Sequence, residues 1–305
     1  MKHELSDCLA LITYEPANLE ERLITKIDIV EKVSPEVAME LRQAISELNF
    51  FTSGETLYYC YQANMQDLLE SVVGFAKGYL ERSSIDNVPL DSVSLNFSRL
   101  TLNLLGMFKS FLDHGAAALT RRYGKDSEQA VSWGRAQSAE YECSTAYRFF
   151  YNLRNYAQHV GMPPLHFSLE DQAEAEGVRV ILEFDRDELL ATYSKWSRDA
   201  KIDLQSGPEK LALLPFLDEW SICFHRLVKH IQILRSDEVM HFAQKILNIR
   251  ADFGLGDHGV LVMMPEPKET VEGRFNFGFR PVPEAKAREI ADKEFLTMLE
   301  GYQGK

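Results

Sequence analysis

Apolar residues recur at helical spacing over most of the first 160 positions of the chain. This spacing predicts four helices, over residues 34–50, 65–80, 93–123 and 131–160. The fourth helix begins at residue 131 or at residue 136, and the aromatic segment 56–62 fits either a short strand or helical turns. Gly124 and Gly161 follow the third and fourth helices as stop signals. These two long helices, joined by a short loop, are expected to pack antiparallel.

The pattern changes after Pro164. β-branched residues at 165–169 and 178–184, on either side of a polar turn, predict a β-hairpin. The remaining elements are predicted as helices over 187–198 and 208–248, strands over 260–264 and 275–280, and a charged helix over 283–302. A break is expected near Ser236.

These elements predict a mainly α fold. We expect an antiparallel helical bundle with a small β-containing C-terminal appendage. In this reading residues 1–165 form a helical domain whose core spans about 93–165, and residues 166–305 form an α+β region with a hairpin, long helices and short strands.

Charge is distributed unevenly along the chain. The 305 residues include 33 basic and 46 acidic side chains, and the net charge of −13 repels a phosphate backbone on average. Of the stretches 1–92, 93–165 and 166–305, only the middle one has a positive balance, with eight basic and five acidic side chains. Charge blocks are usually solvated faces, so a nucleic-acid partner needs a local site within this stretch.

Several common classes of site lack their sequence pattern. The four cysteines form no C-x-x-C pair, and His225 and His230 are badly spaced for a shared metal, so we expect no metal and no cofactor. Residues 254–259 satisfy G-x-G-x-x-G, but a helix precedes them and a strand follows, which predicts a simple loop. Acidic residues near the start and the absence of a long apolar run predict a cytoplasmic protein that does not enter membranes.

The informative segment is the fourth helix. It carries a stripe of five polar residues at helical spacing: Ser144, Arg148, Asn152, Asn155 and His159. Arg154 lies off this stripe, and its long side chain can still reach toward His159 at the helix end.

The third helix carries a second polar stripe. Asn96, Asn103 and Ser110 recur every seven residues, and His114 lies one turn further on. Two such stripes on facing helices would line a cleft, in which Asn103 and His114 join Arg148 and Asn152 as candidate substrate-binding residues. The alternative is a pair of solvated faces in an ordinary bundle.

Arg154, Asn155 and His159 form an Arg-x4-His motif with a polar residue directly after the arginine. The pattern alone is weak, and Arg235-x5-His241 is a second match that we interpret as chance. The first match, which ends a long helix with an antiparallel helical partner, resembles the signature Arg-x4–6-His of the HEPN superfamily of α-helical domains. The resemblance covers about residues 93–165, a quarter of the chain.

The resemblance implies metal-independent cleavage of RNA by a homodimer in which two copies of the motif share one cleft. His159 would be the general base or acid, Arg154 would stabilise the phosphorane, and Asn155 would orient the imidazole or hold a phosphate oxygen. The product would be a 2′,3′-cyclic phosphate. Tyr151 is a candidate for stacking on an unpaired base, although such tyrosines are more often core residues.

Two functions therefore remain open. The first is an HEPN-like endoribonuclease, related to defence or acting as a toxin controlled by a regulatory protein partner. The second is a non-catalytic helical module whose Arg154, Asn155 and His159 bind a nucleotide phosphate or another protein, or cap the bundle.

Overall fold

The computed structural model describes residues 7–15, 24–81, 90–172, 177–266 and 278–292. This part of the chain is mainly helical with a small antiparallel sheet component, which confirms the fold class at that level. The chain divides into two compact units. The terminal unit comprises Met1–Ser53 and Arg235–Lys305, and the central unit comprises Gly54–Leu234.

The central unit contains the second half of a long first helix and most of the other helices. Its elements are α1 (Pro35–Leu80, from residue 54 on), α2 (Leu90–Tyr123), α3 (Glu128–Cys143), α4 (Thr145–His159), β3 (Leu165–Gln172), β4 (Gly177–Asp185), α5 (Arg186–Thr192), α6 (Arg198–Ser206), β5 (Lys210–Ala212) and α7 (Leu213–Ile233). The strands form an antiparallel sheet in the order β3-β4-β5, which confirms the predicted hairpin.

Aromatic rings fill the core of the central unit. Phe150 of α4 stacks on Trp220 of α7 with ring centroids 4.4 Å apart, and Phe108 of α2 meets the same indole at 4.9 Å. The hairpin joins this core, since Phe149 of α4 lies 5.6 Å from Phe184 of β4. Burying the hairpin against the helices explains why the compact units do not follow the boundary at residue 165 that the sequence suggested.

Helix boundaries differ from the predicted ones in several places. The predicted helix 187–198 ends at Thr192 as α5, α6 begins only at Arg198, and the start of the predicted helix 208–248 forms β5. Residues 34–80, which were read as two helices with an undecided segment 56–62 between them, form the single helix α1. The predicted helix 131–160 is instead two helices, because Ser144 adopts extended dihedral angles (φ −115°, ψ 122°) and starts α4 as its N-cap. A cap residue inside an otherwise periodic stretch carries no signal in the apolar spacing.

The terminal unit is built on a second antiparallel sheet. Its elements are β1 (Asp7–Glu15), β2 (Ile24–Lys32), the first part of α1, α8 (Ser236–Asp252), β6 (Val260–Pro265), β7 (Arg280–Pro281) and α9 (Glu284–Ala291). The strand order is β2-β1-β6-β7. The break near Ser236 and the strand at 260–264 are confirmed. Residues 275–277 of the predicted strand 275–280 and the end of the predicted helix 283–302 lie outside the described residues, and of residues 278–280 only Arg280 is in a strand, β7.

The two N-terminal strands correct the prediction of a helical first third. Along β1, Cys8, Leu9 and Ala10 are all fully buried, and they belong to hydrophobic clusters on both faces of the sheet. A strand buried on both faces loses the alternation of apolar and polar residues that identifies a strand in sequence. The sheet of the terminal unit is therefore assembled from both ends of the chain, while the sheet β3-β4-β5 belongs to the central unit, so the β structure is not a single C-terminal appendage.

The glycine-rich segment 254–259 is a loop between α8 and β6, as predicted. The Arg250 guanidinium donates hydrogen bonds to the carbonyl oxygens of Gly256 and Gly259 and forms a salt bridge with Glu284. Because these carbonyls point at a cation, the loop does not present the row of amide donors with which such sequences bind phosphate. No helix in the described residues is long and apolar enough to cross a bilayer.

We predict that Gly259→Ala destabilises the terminal unit by about 1–3 kcal/mol. Gly259 has a φ of +82°, and a Cβ there would lie 3.0 Å from the Ile12 carbonyl oxygen. Gly256→Ala is the matched control, because a Cβ at Gly256 meets nothing within 4 Å. Urea unfolding followed by far-UV circular dichroism measures both variants, and equal midpoints for the two would contradict the prediction.

We predict that the central unit loses stability as the pH falls below about 6.5. Burial lowers the pKa of His230, whose ring lies beside Trp133 and whose Nε2 is 3.1 Å from the Ser132 hydroxyl oxygen. The unfolded chain takes up this proton at a higher pH than the folded one, so the free energy of unfolding declines through this range. Tryptophan fluorescence in urea at pH 7.5 and 5.5 should show a smaller decline for His230→Gln, and an equal decline would contradict the assignment.

Candidate functional site

The start of α4 is fixed by the Ser144 hydroxyl and a carboxylate from α7. Ser144 Oγ accepts a hydrogen bond from the Tyr147 amide at 3.0 Å and donates one to Glu219 Oε1 at 2.5 Å. The Ala146 amide also points at Glu219 Oε1, at 3.5 Å. A negative charge at a helix N-terminus is favourable because it meets the free amide groups and the positive end of the helix dipole.

The rotation of α4 about its axis is set by its apolar face. Six of its apolar and aromatic side chains are buried in the core of the central unit: Ala146, Tyr147, Phe149, Phe150, Leu153 and Tyr156. With that face fixed, Arg154 and Asn155 are half-buried and Gln158 and His159 are exposed. Gly161, with a φ of +149°, follows the helix end, so His159 is the last residue of α4.

Arg148, a predicted substrate-binding residue, is saturated by partners within the protein. Its Nε forms a salt bridge with Asp203 of α6 at 2.6 Å, and its Nη1 donates to the carbonyl oxygens of Tyr141 and Glu142 at 2.8 Å each. These two carbonyls belong to the last turn of α3, where a cation is favourable. The structure therefore gives Arg148 the role of joining α3, α4 and α6.

Asn152, also predicted to bind substrate, is 3% exposed. Its Nδ2 donates to the Arg148 carbonyl oxygen at 2.9 Å, and its Oδ1 accepts from the Ser197 amide at 3.1 Å. Ser197 is the N-cap of α6. The side chain therefore fixes the start of α6 against α4, and its amide is already paired.

The motif cluster, Arg154, Asn155 and His159, occupies the C-terminal half of α4. The Arg154 guanidinium donates to Gln158 Oε1 and, at 3.4 Å, to Asn155 Oδ1, both of which are neutral acceptors. Among the described residues, no carboxylate forms an ion pair with Arg154 or His159. The cluster thus presents an uncompensated guanidinium and an exposed imidazole at the end of one helix, where a phosphate group can reach them.

The expectation of a polar cleft between α2 and α4 is wrong. Asn103 of α2 donates to Asn64 Oδ1 of α1 at 3.0 Å, and Asn96 donates to Ser71 Oγ of α1 at 3.1 Å, so this stripe joins α2 to α1. Where α2 meets α4 the contact is apolar, with Phe108 and Tyr147 packed edge to face. His114 is exposed on α2, and within the described residues no hydrogen bond joins it to the motif cluster.

An open cleft of about 550 Å³ lies instead between α3 and α4. Its walls include Gln137 and Tyr141 of α3, Tyr147, Tyr151 and Asn155 of α4, and Lys195 between α5 and α6. We call it the α3–α4 cleft. Three of these residues, Gln137, Tyr141 and Lys195, were missed in the sequence, because the cleft exists only where the chain breaks at Ser144 and periodicity does not show that break.

The remaining candidates lie elsewhere or have internal partners. Arg235 of the second motif match is 6% exposed and pairs with Glu47, while His241 is exposed on α8 of the terminal unit. Burial raises the pKa of the Cys223 thiol to about 11 and so disfavours the nucleophilic thiolate. The described residues contain no group of three or more side chains placed to hold a metal ion.

We predict that Asn152→Ala lowers the free energy of unfolding of the central unit by about 1–3 kcal/mol, because it leaves the Ser197 amide without an acceptor. Asn155→Ala is the matched control on the same helix and should cost less than about 0.5 kcal/mol. Urea unfolding followed by tryptophan fluorescence reads this unit, since Trp133, Trp196 and Trp220 all lie in it. A larger loss for Asn155→Ala would reverse the assignment of the two amides.

Comparisons with protein-family models, with curated proteins and with solved structures find no match to this chain. The HEPN resemblance therefore rests on the residues of α4 and their setting.

Proposed function

We propose that the protein is an HEPN-like, metal-independent endoribonuclease whose reactive groups are Arg154, Asn155 and His159. The observation that carries the proposal is the state of these side chains in the fold. Arg148 and Asn152, on the same helix, are consumed by internal hydrogen bonds, whereas Arg154 has only neutral acceptors and His159 is exposed. An arginine that only supports a fold is expected to find a carboxylate, as Arg148 does.

The chemistry follows from the three groups. His159 takes the proton from a ribose 2′-hydroxyl, the 2′-oxygen bonds to phosphorus, and the bond from phosphorus to the 5′-oxygen breaks. The leaving oxygen takes a proton from an imidazolium, which gives a 2′,3′-cyclic phosphate and a 5′-hydroxyl. The Arg154 guanidinium stabilises the charge on the phosphorane, and Asn155 donates to a phosphate oxygen.

Acid and base roles require two imidazoles, or one imidazole used in turn. A homodimer in which His159 of a second copy faces the first supplies both, and this is the arrangement that the resemblance implies. A ribonuclease of this kind would also need restraint in the cell, which is the proposed role of a regulatory protein partner.

A second candidate is a non-catalytic module that binds the phosphate of RNA or of a nucleotide with the same cluster. The hydrogen bonds of Arg154 to Gln158 and Asn155, on its own helix, favour this binding module. They hold the guanidinium in a fixed position, which is sufficient for binding a phosphate and requires no catalytic step. The two functions make opposite predictions for the integrity of bound RNA.

We predict that the purified protein cleaves RNA in the presence of EDTA, and that Arg154→Ala and His159→Ala each lower the rate by about 100-fold or more. Denaturing gels give the rate, and mass spectrometry identifies the cyclic phosphate end. His241→Ala is the matched control, because this exposed histidine belongs to the second motif match in the terminal unit.

Two outcomes would overturn the ribonuclease: cleavage that EDTA abolishes, or cleavage that His159→Ala leaves unchanged. RNA that is bound but stays intact would establish the binding module in its place.

A further inference from the structure

The α3–α4 cleft is large enough for one nucleotide and is open at one side. Its volume of about 550 Å³ falls within the usual range of small-molecule sites. α3 and α4 adjoin at Ser144, and the cleft is lined by Tyr141 near the end of α3 and by Tyr147, Tyr151 and Asn155 along α4.

Two tyrosines of α4 give the cleft an aromatic wall. The Tyr151 ring is half-buried, lies nearly parallel to the Tyr147 ring with centroids 6.4 Å apart, and is met edge-on by Tyr141. The Tyr141 hydroxyl is hydrogen-bonded to Ser197 Oγ at 2.5 Å, and this bond fixes the Tyr141 ring against the Tyr151 ring. A fixed, partly exposed ring is the platform on which an unpaired base stacks.

Tyr147 adds a polar group without a partner. The side chain is 1% exposed, and its hydroxyl has no hydrogen-bond partner among the described residues. Buried hydroxyl groups are nearly always hydrogen-bonded, because desolvation without a partner costs free energy. Tyr147 also lines the α3–α4 cleft, so a ligand there whose carbonyl oxygen or ring nitrogen reaches this hydroxyl would satisfy it, and nucleobases carry both acceptors.

The α3–α4 cleft shares Asn155 with the motif cluster, and its lining also includes the cation of Lys195. Asn155 belongs both to the cleft wall and to the cluster, and His159 lies one helical turn beyond it. His159 is eight positions after Tyr151, which is about 12 Å along the helix axis. Lys195 has no ion pair among the described residues, so its ammonium group is available to a phosphate, and the cleft lining also contains one carboxylate, that of Glu142 near the end of α3.

We propose that the α3–α4 cleft binds an unpaired base of the RNA strand, stacked on Tyr151, while Lys195 contacts the adjoining phosphate and the strand continues to the motif cluster. The inference rests on the proposed function for its choice of RNA as the ligand. It restricts the substrate to single-stranded RNA, because a paired base cannot leave its duplex to enter the cleft without unstacking.

The test measures binding separately from cleavage. The probe is a fluorescein-labelled octanucleotide of mixed sequence with every 2′-hydroxyl methylated, so that the nucleophile is absent and His159 has no proton to remove. Fluorescence anisotropy should show binding about 10-fold weaker for Tyr151→Ala and several-fold weaker for Lys195→Ala. Tyr151→Phe keeps the ring and should bind like the wild type, and Lys201→Ala, an exposed lysine on α6, is the charge control.

Photocrosslinking gives a second measurement that does not depend on a variant folding. The same octanucleotide with 4-thiouracil bases, irradiated with the wild-type protein, should crosslink to the peptide that contains Tyr147 and Tyr151, as read by mass spectrometry. Crosslinks confined to other elements, or unchanged affinity in well-folded Tyr151→Ala, would overturn the inference while leaving cleavage intact. Binding that depends on Tyr151 in a protein that never cleaves RNA would support the cleft and refute the ribonuclease.

Discussion

The hydrogen bond between Ser144 and Glu219 fixes the residue at which α4 begins, and the arrangement of the helices around α4 depends on that start. Ser144 leaves helical dihedral angles and caps α4, and the Glu219 carboxylate of α7 receives both its hydroxyl and the Ala146 amide. A helix that continued through residue 144 would place Tyr141 and Tyr151 on one continuous helix, with no cleft between them. The break allows α3 and α4 to diverge and opens the cleft between them.

The break leaves the last carbonyl oxygens of α3 without hydrogen-bond donors from the helix, and Arg148 supplies donors to them. Its guanidinium binds two of them and is neutralised by Asp203, so the residue costs the fold no unpaired buried charge. Asn152 continues the same network to the N-cap of α6. The first half of the polar stripe on α4, which adjoins the break, is therefore used for internal contacts. Asn155 and His159, in the second half of the stripe, lie away from the break and take no part in this network.

Residue spacing predicted the helical character of residues 93–165, the hairpin at β3 and β4, and the loop at 254–259. It failed where burial is two-sided, as at Leu9 and Ala10 of β1, and where one polar residue ends a helix without disturbing the apolar period, as at Ser144. For the site, the sequence offered both Arg148, on the polar stripe, and Arg154, in the Arg-x4-His motif, as residues that contact the substrate. Their difference lies in Asp203, a tertiary partner 55 positions away from Arg148 that no local pattern shows.

Pairing also changes the electrostatic argument for RNA. The positive balance of residues 93–165 includes Arg148, which is neutralised in the folded protein by Asp203, a residue outside that stretch. What attracts a phosphate locally is the cations left without carboxylates, such as Arg154, and Lys195, which lies outside that stretch altogether. A net charge of −13 gives little non-specific attraction for a polyanion, so the RNA affinity that we propose would have to come from short-range contacts made by a bound strand. On the proposed function, the excess of acidic side chains elsewhere would favour a short single strand over a long duplex, because the duplex would bring more phosphate charge near those side chains for the same few contacts.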